Sequence, residues 1–157
     1  MGNEVKKSGL KKSKLDVFKE FYGELFVEKD VSELEPSWVW CMDATYFGPV
    51  HNRTNPKGVA LFSVLNWGSR RVLGYIVVGN GKDINSDHVL SCLETCIRKG
   101  KTAKPKYVHF DQHPAHMSND LREFFWQEEI CVSVSQGKFK NQQAESYHSQ
   151  LKSSLIH

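Results

Sequence analysis

The sequence predicts an α/β fold: a mixed five-stranded sheet, three antiparallel strands followed by two parallel ones, flanked by helices. Three observations carry that prediction. β-prone runs at residues 38–47, 59–65 and 72–78 follow one another through turn-rich segments, as successive hairpins do. Two shorter apolar runs, at 107–110 and 130–134, each come after a stretch of helical periodicity. A hairpin meander followed by alternating helices and strands builds a sheet with both kinds of neighbour, covered by its helices.

Taken in order, the chain opens on a basic arm. Residues 1–14 hold Lys6, Lys7, Lys11, Lys12 and Lys14 against Glu4, so +4 precedes a body of −1 in a chain of net charge +3. Such an arm suits contact with phosphate; the plainer reading is a solvated terminus or linker. From Leu15 the positions Phe18, Tyr22, Leu25 and Phe26 recur at helical spacing, predicting a helix to about residue 27. Arm and helix form a first segment over 1–30, ahead of a core over 31–157. Pro36 marks the break before the first strand, whose Trp38, Val39, Trp40, Tyr46 and Phe47 are strong β formers. Asn85 or Ser86 caps a helix with Val89, Leu90, Leu93, Cys96 and Ile97 on one face, and Arg98-Lys99-Gly100 ends it. A second helix is expected at about 120–129, with Leu121, Phe124 and Phe125 turned inward. A polar loop at 136–141 and a final helix from Gln143 complete the chain.

Composition bounds the function classes. The 157 residues suit one domain with a short extension. Apolar and charged fractions of 39% and 25% exclude wholesale disorder. Cys41, Cys92, Cys96 and Cys131 fall within apolar or helical patterns, and without a signal peptide packing in a reducing interior is expected rather than a disulfide framework. No apolar run approaches the roughly 20 residues that cross a bilayer. The chain is expected to be soluble and intracellular, without a membrane partner.

Three acids stand where such a sheet presents chemistry. Asp43 lies inside the first strand between Met42 and Ala44, where a carboxylate is costly unless it meets a cation or strong donors. Asp111 directly follows the strand at 107–110, at the C-terminal end where open α/β sheets bind ligands. Glu145 sits near the start of the last helix, past a glycine-containing loop. Taken singly, they read as a salt-bridge partner, a turn-opening residue and a solvated helix acid. Together they offer hard oxygen ligands from separate elements, which is what Mg2+ requires.

Three stretches around these acids stand in a telling order. The first is Trp38-Val39-Trp40-Cys41-Met42-Asp43-Ala44-Thr45-Tyr46. The second is Val108-His109-Phe110-Asp111-Gln112, followed by Ser118 and a helix with Phe124-Phe125. The third runs from Ser135-Gln136-Gly137-Lys138 through Asn141-Gln142-Gln143-Ala144-Glu145-Ser146-Tyr147. They resemble, over about residues 38–151, the motifs of the DDE integrase and transposase superfamily, whose cores have a ribonuclease-H-like fold. There are departures. The 33 residues between Asp111 and Glu145 are slightly fewer than in familiar members, a difference a loop absorbs. His113-Pro114 stands where many relatives carry a glycine. The chain ends 12 residues past Glu145, where family cores continue, so a fragment or a shortened core is expected.

The resemblance implies a DDE-type polynucleotidyl transferase, with Asp43, Asp111 and Glu145 as catalytic residues and metal ligands. It implies two Mg2+ or Mn2+ ions per site, roughly 3.5–4 Å apart, with Asp43 between them and Asp111 and Glu145 completing one site each. Water first cuts a DNA end to expose a 3′-hydroxyl, which then attacks a target strand. The implied partners are DNA, as element ends and target, and further copies of the chain. The implied setting is cytoplasmic in a bacterium, with nuclear access in a eukaryote or virus. A ribonuclease-H-like nuclease that cuts without joining shares the fold, as does an inactive core kept for DNA binding or oligomerisation. A zinc site from His109, His113 and His116 with Cys92 and Cys96 is the weaker reading, because no second cysteine pair matches the first.

On the final helix Glu145, Ser149 and Lys152 fall at i, i+4 and i+7 and share a face. Lys138 and Lys140 precede them in the loop. Lys138, Lys140, Ser149 and Lys152 are therefore candidate DNA contacts, set against the plainer reading of exposed solubilising side chains. Replacing Lys152 with alanine is expected to weaken DNA binding and to lower its salt slope by about one unit, with metal affinity nearly unchanged. A titration series in salt checks this; an unaltered slope rejects the role.

Overall fold

A strand whose first four residues, Val39 to Met42, are all buried must be covered on both faces, and that places it centrally. In the computed structural model, which describes residues 12–48, 58–100 and 103–135, this strand is β1 (Val39–Phe47). It pairs antiparallel with β2 (Val59–Asn66), which pairs antiparallel with β3 (Val72–Val78). On its other side β4 (Tyr107–Phe110) and then β5 (Cys131–Val134) add in parallel, giving the order β3-β2-β1-β4-β5. Parallel neighbours need crossovers, and helices supply them. The sheet is the predicted one.

The helices are labelled in chain order: α1 (Lys14–Tyr22), α2 (Ser86–Lys99) and α3 (Asn119–Gln127). Asn85 is the cap of α2: its side chain accepts from His88 N at 3.0 Å, while His88 Nδ1 accepts from Asn85 N at 3.0 Å. The reciprocal pair satisfies two N-terminal donors, with histidine in the place usually held by glutamate. Gly100 ends α2 in the left-handed region, at φ 60°. Ser118 caps α3 by accepting from Leu121 N at 3.0 Å. No helix among the described residues is long and apolar enough to cross a membrane.

One boundary differs from expectation. The helix predicted to run to about residue 27 stops at Tyr22, because Gly23 adopts φ 56° and a single 3-10 turn, Gly23–Leu25, follows. Phe26 then makes a parallel bridge to Val132, and Val27 N donates to Val132 O at 2.8 Å. Helical spacing of Leu25 and Phe26 is thus an accident: Leu25 closes the turn and Phe26 opens an extended segment at the sheet edge. Leu25 still reaches the core, through the turn.

The three helices of the described residues cover one face. Phe18 and Tyr22 of α1, Val89 and Leu93 of α2, and Leu121 and Phe125 of α3 pack with Trp40, Met42, Phe62, Val108 and Phe110. Each large side chain buried there contributes about 1.5–3 kcal/mol by leaving water. On the opposite face Val39 and Cys41 pack with Val31 and Leu34. Cys41, Cys92 and Cys96 are buried free thiols and Cys131 is half-buried, as packing residues would be. The two sulfurs of α2 lie under Gly74 of β3, where an added Cβ would sit 2.6 Å from Cys96 Sγ.

Candidate active site

Strand alternation separates Asp43 from the main core. Trp40 and Met42 point to the helices, whereas Val39, Cys41 and Asp43 fall on the second face. Asp43 is only 9% exposed, opposite buried Ser63 of β2. Its Oδ1 accepts from the Ala44 backbone N–H at 2.9 Å. A carboxylate this enclosed needs strong donors or a cation to remain charged.

The parallel ladder determines what stands beside it. Val39 pairs with Tyr107, Trp40 with Val108 and Cys41 with His109. Continued two residues past its last pair, that register would bring Asp111, just past β4, towards Asp43. Both carboxylates act on the Tyr46 hydroxyl, so the two predicted acids lie towards the same end of the sheet although 68 positions separate them in the chain.

Asp111 has its own surroundings. Its Oδ1 accepts from His113 N at 3.2 Å and stands 3.6 Å from His116 Nε2, an electrostatic contact too long for a hydrogen bond. The His116 ring is buried, stacked on Phe110 with centroids 4.3 Å apart and planes at 16°. Its Nδ1 has no hydrogen-bond partner among the described residues. Burial acts to raise the Asp111 carboxyl, but His116 and the His113 N–H more than offset it and hold it below its ordinary value. Burial holds His116 below its usual value, against the pull of Asp111. The pair at neutral pH is thus a carboxylate beside a neutral imidazole. The buried carboxylate on β1 and the one kept ionised against burial just past β4 are hard oxygen donors, the kind a divalent cation takes.

Sequence reasoning missed the polar cluster next to these acids. Tyr46 Oη donates to Asp83 Oδ1 at 2.8 Å, Ile84 N donates to the same oxygen at 2.7 Å, and His113 Nε2 stands 3.2 Å from Asp83 Oδ2. The Tyr46 phenol is held up, first by burial, then by its bond to Asp83 and by the charges of Asp83, Asp111 and Asp43. Nothing local to Asp83 announces this, since it lies in a polar turn 37 positions from Tyr46 and 30 from His113. Only the His113-Pro114 departure after Asp111 was a legible signal.

The predicted Glu145, Lys138, Lys140, Ser149 and Lys152 lie outside the described residues. Among the described residues no group of three or more His, Cys, Asp and Glu side chains is set to hold a metal ion. The residues of the zinc reading have separate settings: His109 between two serines, His113 on Asp83, His116 on Phe110, and Cys92 with Cys96 under Gly74.

A mixed sheet of this order, with one aspartate in its central strand and another just past the neighbouring parallel strand, is the ribonuclease-H-like core of the DDE integrase and transposase superfamily. The integrase core domain family matches residues 33–137, most of the chain, and the protein belongs to that family. Among solved structures, the HTLV-2 integrase catalytic core domain in complex with magnesium, in its dimeric form, is similar at 20% identity and TM-score 0.55, over 78% of this chain and 72% of that one. The simian T-cell lymphotropic virus intasome in complex with PP2A regulatory subunit B56 gamma is similar at 18% identity and TM-score 0.59, over 78% of this chain but 41% of that one. The BIV integrase catalytic core matches at 17% and 0.52, over 76% and 70%. At these identities the likeness establishes the fold. No curated protein sequence matches.

His109, two residues before Asp111, yields a test of the site's burial. Its ring lies 2.8 Å from Ser133 Oγ through Nδ1 and 3.1 Å from Ser135 Oγ through Nε2. Burial lowers it to about 4 from an ordinary 6.5, against smaller opposite effects of Asp30 and Asp111. A lowered histidine stabilises the fold above the unfolded value, and that contribution is lost as pH falls from 6.5 to 4. Urea unfolding should show stability dropping by roughly 3 kcal/mol across this window from His109 alone. His109→Gln should remove that part of the slope, leaving the contribution of His116, which has the same sign; an identical slope in the variant contradicts the assignment.

Proposed function

We infer that this chain is the catalytic core of a DNA integrase that cuts DNA 3′ ends and joins them to a target strand by metal-dependent phosphoryl transfer. What supports the reading is the parallel pairing of β1 with β4, which ends two residues short of Asp43 and of Asp111, in a chain of the integrase core family. Asp43 and Asp111, with Glu145 from the segment beyond, would hold Mg2+ or Mn2+, two ions per site. Bound there, the ions would activate water and stabilise the attacking and leaving oxygens of an in-line displacement. That the HTLV-2 core was solved with magnesium supports this choice of cation.

The chain's own groups have distinct tasks in this reading. Asp43 and Asp111 supply negative charge at the reacting phosphate's side of the sheet edge. His116, buried and neutral, walls off one side of Asp111 from water. No serine or cysteine is needed as nucleophile, since water attacks first and the freed 3′-hydroxyl attacks second. Lys138, Lys140, Ser149 and Lys152 contact the DNA backbone. The partners are element ends, target DNA and further copies of this chain, because two ends are joined together; a dimeric HTLV-2 core and a viral intasome among the similar structures support an assembled state. The setting is intracellular.

Incubating the full chain with a labelled DNA duplex end and Mg2+ or Mn2+ tests the reading. Joined products longer than the substrate are expected. Asp43→Asn and Asp111→Asn should each reduce them by about 10²–10³-fold or more, as loss of a charge-stabilising group does. Shortened products alone favour a nuclease that does not join. Absence of both products, with no Mn2+ binding by calorimetry, favours an inactive DNA-binding or oligomerisation module.

A further inference from the structure

The ladder between β1 and β4 last pairs at Cys41 and His109, before either aspartate is reached. Something beyond the ladder must hold the turn carrying Asp111 against β1. A continuous run of contacts does so. It starts on β1 at Tyr46, three residues past Asp43, whose hydroxyl donates to Asp83 Oδ1 at 2.8 Å. It continues from Asp83 Oδ2 to His113 Nε2 at 3.2 Å, and ends where His113 N donates to Asp111 Oδ1 at 3.2 Å.

The His113 ring is oriented from both sides. Its Nδ1 accepts from Ala115 N at 2.9 Å, so the proton of the neutral imidazole sits on Nε2 and is donated to Asp83. The opposite tautomer would set two donors against each other at Ala115. The Asp83 and His113 side chains are 18% and 26% exposed, so water competes weakly for the bond.

We propose that Asp83 and His113 are a positioning pair, fixing the Asp111 carboxylate relative to Asp43 so that the two can receive a divalent cation together. The proposal rests on the metal-dependent reading above. Neither residue touches the cation or the DNA; each acts through Asp111. Outer partners of metal-binding carboxylates change affinity about 10–100-fold when removed, and a pair acting through one bond behaves as a unit.

Two variants remove that bond by different routes while keeping acceptors for Tyr46, Ile84 and Ala115. Asp83→Asn keeps an acceptor for Tyr46 and Ile84 but turns an N–H toward the N–H of His113. His113→Asn keeps an acceptor for Ala115 N but is too short to reach Asp83. In the full chain, Mn2+ titrated by calorimetry should bind about tenfold or more weakly in each. The Asp83→Asn/His113→Asn double variant should be no weaker than the singles. In the joining assay kcat should fall while KM for DNA holds, which general unfolding would not produce. Hydrogen exchange in metal-free protein should be at least about tenfold faster at the His113 amide, with the Trp40 and Val64 amides unchanged. Wild-type Mn2+ affinity in both singles, where Asp111→Asn abolishes binding, overturns the positioning pair and leaves the integrase reading intact. If the wild-type chain itself binds no Mn2+, the metal reading fails, and the His113 amide decides the pair alone: faster exchange in both variants supports it, unchanged exchange overturns it.

Discussion

The parallel pairing of β4 with β1 is the constraint on which the site depends. Cys41 stands opposite His109, and an acid follows two residues later on each side, Asp43 within β1 and Asp111 just past β4. A slip of one residue would set Asp43 against Phe110 or Gln112 and turn alternate side chains to the wrong face. Such a slip is resisted by the core itself. Trp40 and Met42 on β1, and Val108 and Phe110 on β4, are all fully buried under the helices, so register and core packing are the same commitment.

Around that edge the molecule spends its polar contacts unevenly. His109 sits between Ser133 and Ser135 and ties β4 to β5 and the residue beyond it. His116 closes over Phe110, and the backbone carbonyl of His116 accepts from the buried Tyr22 hydroxyl of α1. The first helix thus reaches the 3-10 turn Pro114–His116 that follows Asp111. Stability of the core and placement of Asp111 share residues, which is why the site's environment can hold one carboxylate ionised and two imidazoles below their ordinary values at once.

Much of this was legible before any coordinates. Alternation, turn residues and caps located the strands and α2, down to a cap at Asn85 or Ser86, which proves to be Asn85, and Gly100 as its stop, because each signal there is local. The end of α1 was not, since the bridge from Phe26 to Val132 is a contact between residues 106 positions apart and no spacing encodes it. For the site, Asp43 and Asp111 stood out as acids in or beside apolar strands. Asp83 and Tyr46 did not, because a polar residue in a turn and an aromatic in a strand look ordinary until folding sets them 2.8 Å apart.

The most direct measurement of the central claim is a crystal structure of the full chain soaked in Mn2+, with anomalous scattering used to locate the ions. The account predicts Mn2+ density in contact with carboxylate oxygens of both Asp43 and Asp111, with Glu145 as a further ligand. Density confined to other residues, or Asp43 and Asp111 carboxylates turned apart with no ion between them at saturating Mn2+, would contradict it.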